Sequence, residues 1–304
     1  MKNNETHVVT GAFGYTGRYI ARELLRRGIK VRTLTNKEPV DDPFDGAVDA
    51  WPLVFGSPEL LADSMRGATT LYNTYWVRFN HGNFSHSEAV ENTKTLLDAA
   101  KAAGIKRIVH VSITNPSEDS PFEYFRGKAV LEKYLAGLGV SYAIIRPAVI
   151  FGVEDILINN IAWMLRRFPV FGVFGDGAYG IQPIFVEDMA GLAVDAGLRD
   201  DNTVLDAVGP ESFTYRGLVE AIGDAIGCPR PLVNIPPSVG YAMGRALGVV
   251  TGDIVITKEE IGGLMAGLLA VDTKPLGKTK LTEWARGHRD TLGKTYASEL
   301  SRRR

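Results

Sequence analysis

Two residues near the middle of the chain invite a chemical reading. Tyr124 and Lys128 stand four apart, the spacing that puts two side chains one turn apart on one face of a helix. A phenol gives up its proton near pH ~10 unless a neighbouring cation stabilises the phenolate. A lysine one turn away supplies that cation, so the pair suits proton transfer to or from an alcohol or carbonyl during hydride chemistry. Lys128 can also bond a ribose hydroxyl.

A second constellation lies near the start, in His7-Val8-Val9-Thr10-Gly11-Ala12-Phe13-Gly14-Tyr15-Thr16-Gly17. A short apolar run breaks into three glycines spaced three apart, and helical periodicity begins in the residues after Arg18. At such a strand-to-helix turn the free N–H groups and the positive dipole end of the helix face a pyrophosphate. Gly11 then serves the tight turn, Gly14 the close approach of backbone to phosphate, and Gly17 the packing of helix on sheet. Phe13, Tyr15 and Thr16 line the same loop.

Both sets need a frame. Apolar runs predict strands over 30–35, 49–53, 69–73, 107–112 and 141–146, with Pro147 ending the last. Helical spacing predicts helices over 58–66, 88–103, stopped by Gly104, and 125–138. Strand and helix alternate, which implies a Rossmann-like, doubly wound parallel sheet covered on both faces. Beyond Gly152 the rhythm changes: an amphipathic helix over 156–168, a Gly-rich loop over 172–180 and prolines at 229, 231, 236 and 237. We expect an α/β fold with a dinucleotide-binding domain over 1–152, joined by a returning segment near 181–209, and a smaller C-terminal α/β lobe over 153–304.

Composition narrows the function. The 304 residues are 45% hydrophobic with a formal net charge of −1, ordinary for a globular enzyme. No broad basic field is present, which argues against nucleic acid as partner. Ser301-Arg302-Arg303-Arg304 reads as a solvated tail. Cys228 is the sole cysteine, so no intramolecular disulfide forms and a reducing cytoplasm is the expected setting. Lys2 and Glu5 run straight into the first strand, with no signal-peptide pattern. The apolar stretches 239–250 and 261–271 fall short of a membrane span and read as buried or interface helices. The five histidines show no metal-ligand spacing beyond His81/His86 in a polar loop, so no metal is expected.

With the glycine loop, the helix Asn92-Thr93-Lys94-Thr95-Leu96-Leu97-Asp98-Ala99-Ala100, the strand Arg107-Ile108-Val109-His110-Val111-Ser112, Tyr124/Lys128, Arg146-Pro147 with Gly152, and Phe185-Val186-Glu187-Asp188-Met189-Ala190, the chain resembles the short-chain dehydrogenase/reductase superfamily in its extended or atypical branch. It is most similar there to the group containing the NAD(P)H-binding accessory subunit of respiratory complex I, through Tyr124-Phe125-Arg126-Gly127-Lys128-Ala129. The resemblance implies Tyr124 as acid/base, Lys128 lowering its pKa and holding the nicotinamide ribose, and cofactor contacts that include Thr74 and Pro147.

The chain departs from that pattern at three points. Where catalytic members carry a second Ser or Thr at the end of the fifth strand, this chain reads Ser112-Ile113. Ser112 and Thr114 are the nearby hydroxyls, and a hydroxyl displaced by one residue on a strand points to the opposite face. Val54 falls where relatives place an Asp for the adenine amino group, and Asn73-Thr74-Tyr75-Trp76 where they carry small residues against the cofactor. The second strand ends in Thr35-Asn36-Lys37, neutral then cationic, which favours NADP(H) over NAD(H), with Glu38 one residue further on. The expected function is an NADP(H)-dependent oxidoreductase acting on a small carbonyl or alcohol. The alternatives are a non-catalytic NADP(H)-binding structural or redox-sensing protein with a protein partner, and a sugar-nucleotide epimerase or dehydratase. A homodimer is compatible with either.

Overall fold

The structure, a computed structural model, describes residues 5–36, 42–82 and 84–303. Lys2, Lys37, Glu38 and Arg304, all singled out in the sequence, lie outside the described residues.

The chain opens with β1 (Thr6–Thr10), α1 (Tyr15–Arg26), β2 (Lys30–Thr35), β3 (Val48–Pro52), α2 (Pro58–Asp63), β4 (Thr70–Asn73), α3 (His86–Ala102), β5 (Arg107–Val111), α4 (Glu123–Gly137) and β6 (Ser141–Pro147). It continues through β7 (Val149–Phe151), α5 (Leu157–Arg167), β8 (Phe171–Phe174), β9 (Gly180–Ile181), β10 (Pro183–Phe185), α6 (Val186–Gly197), β11 (Thr203–Ala207), β12 (Phe213–Thr214), α7 (Tyr215–Ala225), β13 (Leu232–Ile235), α8 (Pro237–Thr251), α9 (Lys258–Met265), α10 (Leu281–Gly287) and α11 (Glu299–Arg303). Two compact units result: Met1–Arg146 with Met189–Leu205, and Pro147–Asp188 with Asp206–Arg304.

The first unit is built on a seven-stranded sheet in the order β11-β6-β5-β4-β1-β2-β3. The pairings of β1 with β2 and β4, of β2 with β3, and of β5 with β4 and β6 are all parallel. This is a Rossmann-like α/β fold. The order reverses between β1 and β4, and ligands of such sheets bind at the carboxyl ends of the strands beside that reversal. Side-chain alternation explains the burial on both faces. Val8, Leu34, Leu71, Ile108 and Ile144 join one core with Leu61, Leu96, Leu97 and Leu135 from the helices. Their neighbours Val9, Tyr72, Val109 and Ile145 are equally buried.

The returning segment is tied by one buried cation. Arg107 Nε donates to the Ala196 carbonyl at 2.6 Å, Nη1 to Ser141 Oγ at 2.6 Å and Nη2 to the Asp201 carbonyl at 3.1 Å. Each arm of the guanidinium thus satisfies a different neighbour, as the planar fork allows.

The second unit packs α5, α7 and α10 around Phe151, Ile158, Ile161, Leu165, Leu218 and Ile222. Short pairs frame it: β7 with β10 and β8 with β13 run parallel, β9 with β12 antiparallel. The stretches 239–250 and 261–271, read as buried or interface helices, differ in how far they are helical. In α8 the glycines at 240, 244 and 248 face inward, while Val239, Met243, Val249 and Val250 are exposed. The second stretch is helical only as far as Met265, and Leu269 then bridges to Ile181. Among the described residues no helix is long and apolar enough to cross a membrane.

Candidate active site

The glycine loop joins the end of β1 to α1. Gly11 has φ +66°, a left-handed conformation that favours glycine. Its N–H donates to the Leu34 carbonyl at 3.2 Å, and its own carbonyl accepts from Gly14 N at 2.9 Å. A Cβ on Gly17 would drive into the Gly11 carbonyl group, lying 2.7 Å from its carbon. Gly17 therefore lets the first turn of α1 lie on the loop. Gly14 is the N-cap residue and carries no side chain to cap the helix, and no acidic residue stands in the first turn. An uncapped helix start without carboxylates suits an anion. Thr33 braces the loop from below, its hydroxyl accepting from Ala12 N at 3.0 Å and donating to the Val9 carbonyl at 2.9 Å. Phe13 sits beside Phe44 with ring centroids 6.2 Å apart, Tyr15 meets Tyr19 edge to face, and Thr16 is half-buried.

The ends of the neighbouring strands close around this loop. Thr74 N and Tyr75 N donate to Thr10 Oγ1 at 2.8 and 3.1 Å, and Thr74 Oγ1 donates to the Thr10 carbonyl at 2.6 Å. The Thr74 hydroxyl is thus engaged in joining β4 to β1. Asn36 Oδ1 accepts from Leu53 N at 3.0 Å, which ties the end of β2 to the segment carrying Val54. Val54 is half-buried and its carbonyl accepts from Ser57 N at 3.3 Å. Tyr75 turns into the apolar layer, its ring 4.8 Å from that of Phe55 and its hydroxyl accepting from Asn92 Nδ2 at 3.1 Å. Burial pushes its phenol pKa up.

The residues after β5 occupy three different settings. Ser112 donates to Glu132 Oε1 at 2.5 Å, and Arg146 Nε donates to the same oxygen at 3.0 Å. Thr114 is fully buried, and Ile113 is also buried. Lys128 is 2% exposed, donates to the Val111 carbonyl at 2.8 Å and lies 4.3 Å from the Trp76 ring centroid. Burial lowers its pKa to about 7, against the raising effect of Glu132. Tyr124 is half-buried; its ring stands edge-on to Trp76 at 5.6 Å and to His86 at 5.7 Å. Asn73 Nδ2 meets His110 Nδ1 at 3.0 Å beneath this group. Burial, reinforced by Lys128, holds the His110 pKa well below its usual value. The imidazole is therefore neutral.

Gly11, Gly14, Gly17, Asn36, Thr74, Ser112 and Lys128 thus lie at or just beyond the carboxyl ends of β1, β2, β4 and β5 or on the helices that follow, and Pro147 closes β6. Tyr124 and Lys128 share α4, as their spacing predicts. Of the two nearby hydroxyls after β5, that of Ser112 is taken by Glu132. The sequence reading missed Trp76 as a neighbour of Lys128. One signal was present in Gly127, where a Cβ would lie 2.9 Å from Trp76 Cη2 and 3.1 Å from Val90 Cγ2.

Fold and loop together define a dinucleotide-binding protein of the Rossmann type, and residues 11–154 match the NAD(P)H-binding domain family. The chain belongs to the extended short-chain dehydrogenase/reductase, epimerase-like family of NAD(P)H-binding proteins. It is 30% identical over 258 residues to sterol demethylase protein B of Methylococcus capsulatus, covering 76% of this chain and 78% of that protein. It is 27% identical over 256 residues to the mitochondrial NADH dehydrogenase (ubiquinone) 1 alpha subcomplex subunit 9 of Arabidopsis thaliana, covering 77% of this chain and 61% of the relative. Its fold is similar to an NADPH-dependent quinone oxidoreductase from Escherichia coli solved with NADPH, with a TM-score of 0.75, 20% identity, and 92% and 99% of the two chains covered.

Proposed function

We propose that the protein binds NADP(H) and reduces a small carbonyl-type acceptor, with Tyr124 as the proton donor. The bound cofactor supplies the hydride. The observation that carries the reading is the uncapped, carboxylate-free start of α1 beside Gly11, Gly14 and Gly17, which suits a pyrophosphate. Thr35 and Asn36 end β2 without an acidic side chain, which supports NADP(H) over NAD(H), as does the NADPH held by the Escherichia coli neighbour.

Tyr124 suits the role of acid more than that of base. Near pH 7 Lys128 is only partly charged, so it offers a resting phenolate incomplete support, while a protonated phenol needs none. The phenol would hand its proton to the acceptor oxygen as negative charge develops there. Exchange of NADPH oxidation activity between wild type and Tyr124→Phe across a panel of quinones and carbonyls tests this. A fall of roughly 100-fold is expected on removing a general acid, and equal rates would refute the assignment.

Three observations favour a second reading, that of a binding protein which retains the dinucleotide for contact with a protein partner. Ile113 presents no hydroxyl, the Ser112 hydroxyl is committed to Glu132, and Lys128 is sealed under Trp76. The complex I subunit relative is consistent with it. NADPH binding without Tyr124-dependent turnover on any acceptor would select this reading. We place either version in a reducing compartment, the cytoplasm by the single-cysteine argument or the mitochondrion by analogy with the Arabidopsis relative.

A further inference from the structure

We propose that Trp76 is a positioning residue for the Lys128–Tyr124 pair, its indole face seating the ammonium and its flank seating the phenol ring. The inference deepens the reading of this site as the NADP(H) site and rests on it for its role, though not for its test.

The contacts converge on one ring. Lys128 Nζ lies 4.3 Å from the Trp76 centroid, inside the range for a cation–π contact, which strengthens when water is excluded. Tyr124 packs against the same indole at an interplanar angle of 77°, and His86 stacks on it at 11°. Gly127, between Tyr124 and Lys128 on α4, is where the helix makes room: any Cβ there would push on Cη2. Trp76 therefore touches both polar residues of the pair and fits the gap between them.

The indole N–H makes no contact that would orient the ring. Trp76 Nε1 is buried without a hydrogen-bond partner among the described residues, a condition that costs free energy. The ring keeps this orientation because its face and flank are engaged. Positioning by the ring, and not by its nitrogen, follows, so phenylalanine should substitute for it.

Several charges bear on Lys128. Glu132, one turn further along α4, favours the charged ammonium; His110 on β5 is neutral; Glu123 on α4 accepts from Asn80 and lies 3.6 Å from His86 Nδ1. Arg146 is already matched with Glu132. Against this background the indole face is the part of the site that a substitution can remove without changing a charge.

The experiment follows the ionisation of Lys128 by NMR of labelled lysine side chains in the full chain, with Lys128→Met to assign the resonance. Wild type and Trp76→Phe should titrate within about threefold of each other in ionisation constant. Trp76→Leu should move the midpoint down by roughly one pH unit, a tenfold change. Gly127→Ala displaces the ring without deleting it and should move the midpoint in the same direction, which keeps a result in hand if Trp76→Leu does not fold. An unchanged midpoint in folded Trp76→Leu or Gly127→Ala, or a Trp76→Phe midpoint that follows the leucine variant, would overturn the proposal. A parallel NADPH titration of wild type separates the two claims: absence of binding removes the proposed function and leaves the Trp76–Lys128 coupling standing.

Discussion

The Ser112 hydroxyl donates to Glu132 across 2.5 Å, and Arg146 closes on the same carboxylate from β6. The three form a partly buried network that commits the serine hydroxyl to Glu132, and that network explains why a hydroxyl in a promising place is not free for a ligand. Ser112→Ala should therefore leave NADPH affinity within about twofold and cost roughly 1–2 kcal/mol of stability, because Glu132 keeps Arg146 and loses one bond. Thermal melts beside a cofactor titration check both halves. A variant that melts like wild type but loses turnover would instead mark the hydroxyl as catalytic.

Gly17→Ala should be far more damaging than its size implies. The added Cβ meets backbone of the Gly11 turn, which cannot yield without opening the loop. We expect a loss of roughly 1–3 kcal/mol and at least about tenfold weaker dinucleotide binding, the loop being the pyrophosphate seat. Gly137→Ala is the control, since nothing lies within 4 Å of a Cβ there. Equal affinity in the two variants would detach the loop from the cofactor.

Burial at Lys128 and His110 gives the pH profile its shape. Lys128 has its pKa lowered from 10.5 to about 7 in the folded protein, so between these values the unfolded chain binds more protons and stability rises with pH. The cost of burying the ammonium is fully present below about pH 7. His110, also depressed, adds a loss of stability as pH falls below its unperturbed range. Lys128→Met should flatten the rise between pH 7 and 10 and raise the melting temperature at neutral pH. Denaturant titrations across that range check it, and a profile unchanged by the substitution would show that Lys128 is not held near neutrality.

Much of this architecture is visible in the sequence for a physical reason. Strands β2, β5 and β6 match their expected positions almost to the residue; β5 and β6 carry the apolar runs Ile108-Val109 and Ala143-Ile144-Ile145, the pattern of a sheet covered on both faces. The turn at Gly11 and the packing at Gly17 are equally legible, since only glycine meets those demands. What resists reading is which partner a polar side chain chooses. Nothing in the spacing of Ser112, Glu132 and Arg146 declares that they meet, because the contact joins β5, α4 and β6 through tertiary packing. Trp76 is the same case: after β4 the chain could have turned its aromatics either way, and the decision rests with the space left by Gly127. In α8 the inward glycines leave the apolar residues outward, and composition alone does not distinguish that arrangement from a buried helix.

The central claim, that this chain holds NADP(H) on its glycine loop, is met most directly by calorimetric titration of the purified protein with NADPH and NADH in parallel, repeated on Gly14→Asp. One NADPH should bind per chain, NADH should bind more weakly, and both should be lost when a carboxylate is placed at the start of α1. Failure to bind either nucleotide, or binding that Gly14→Asp leaves intact, would contradict it.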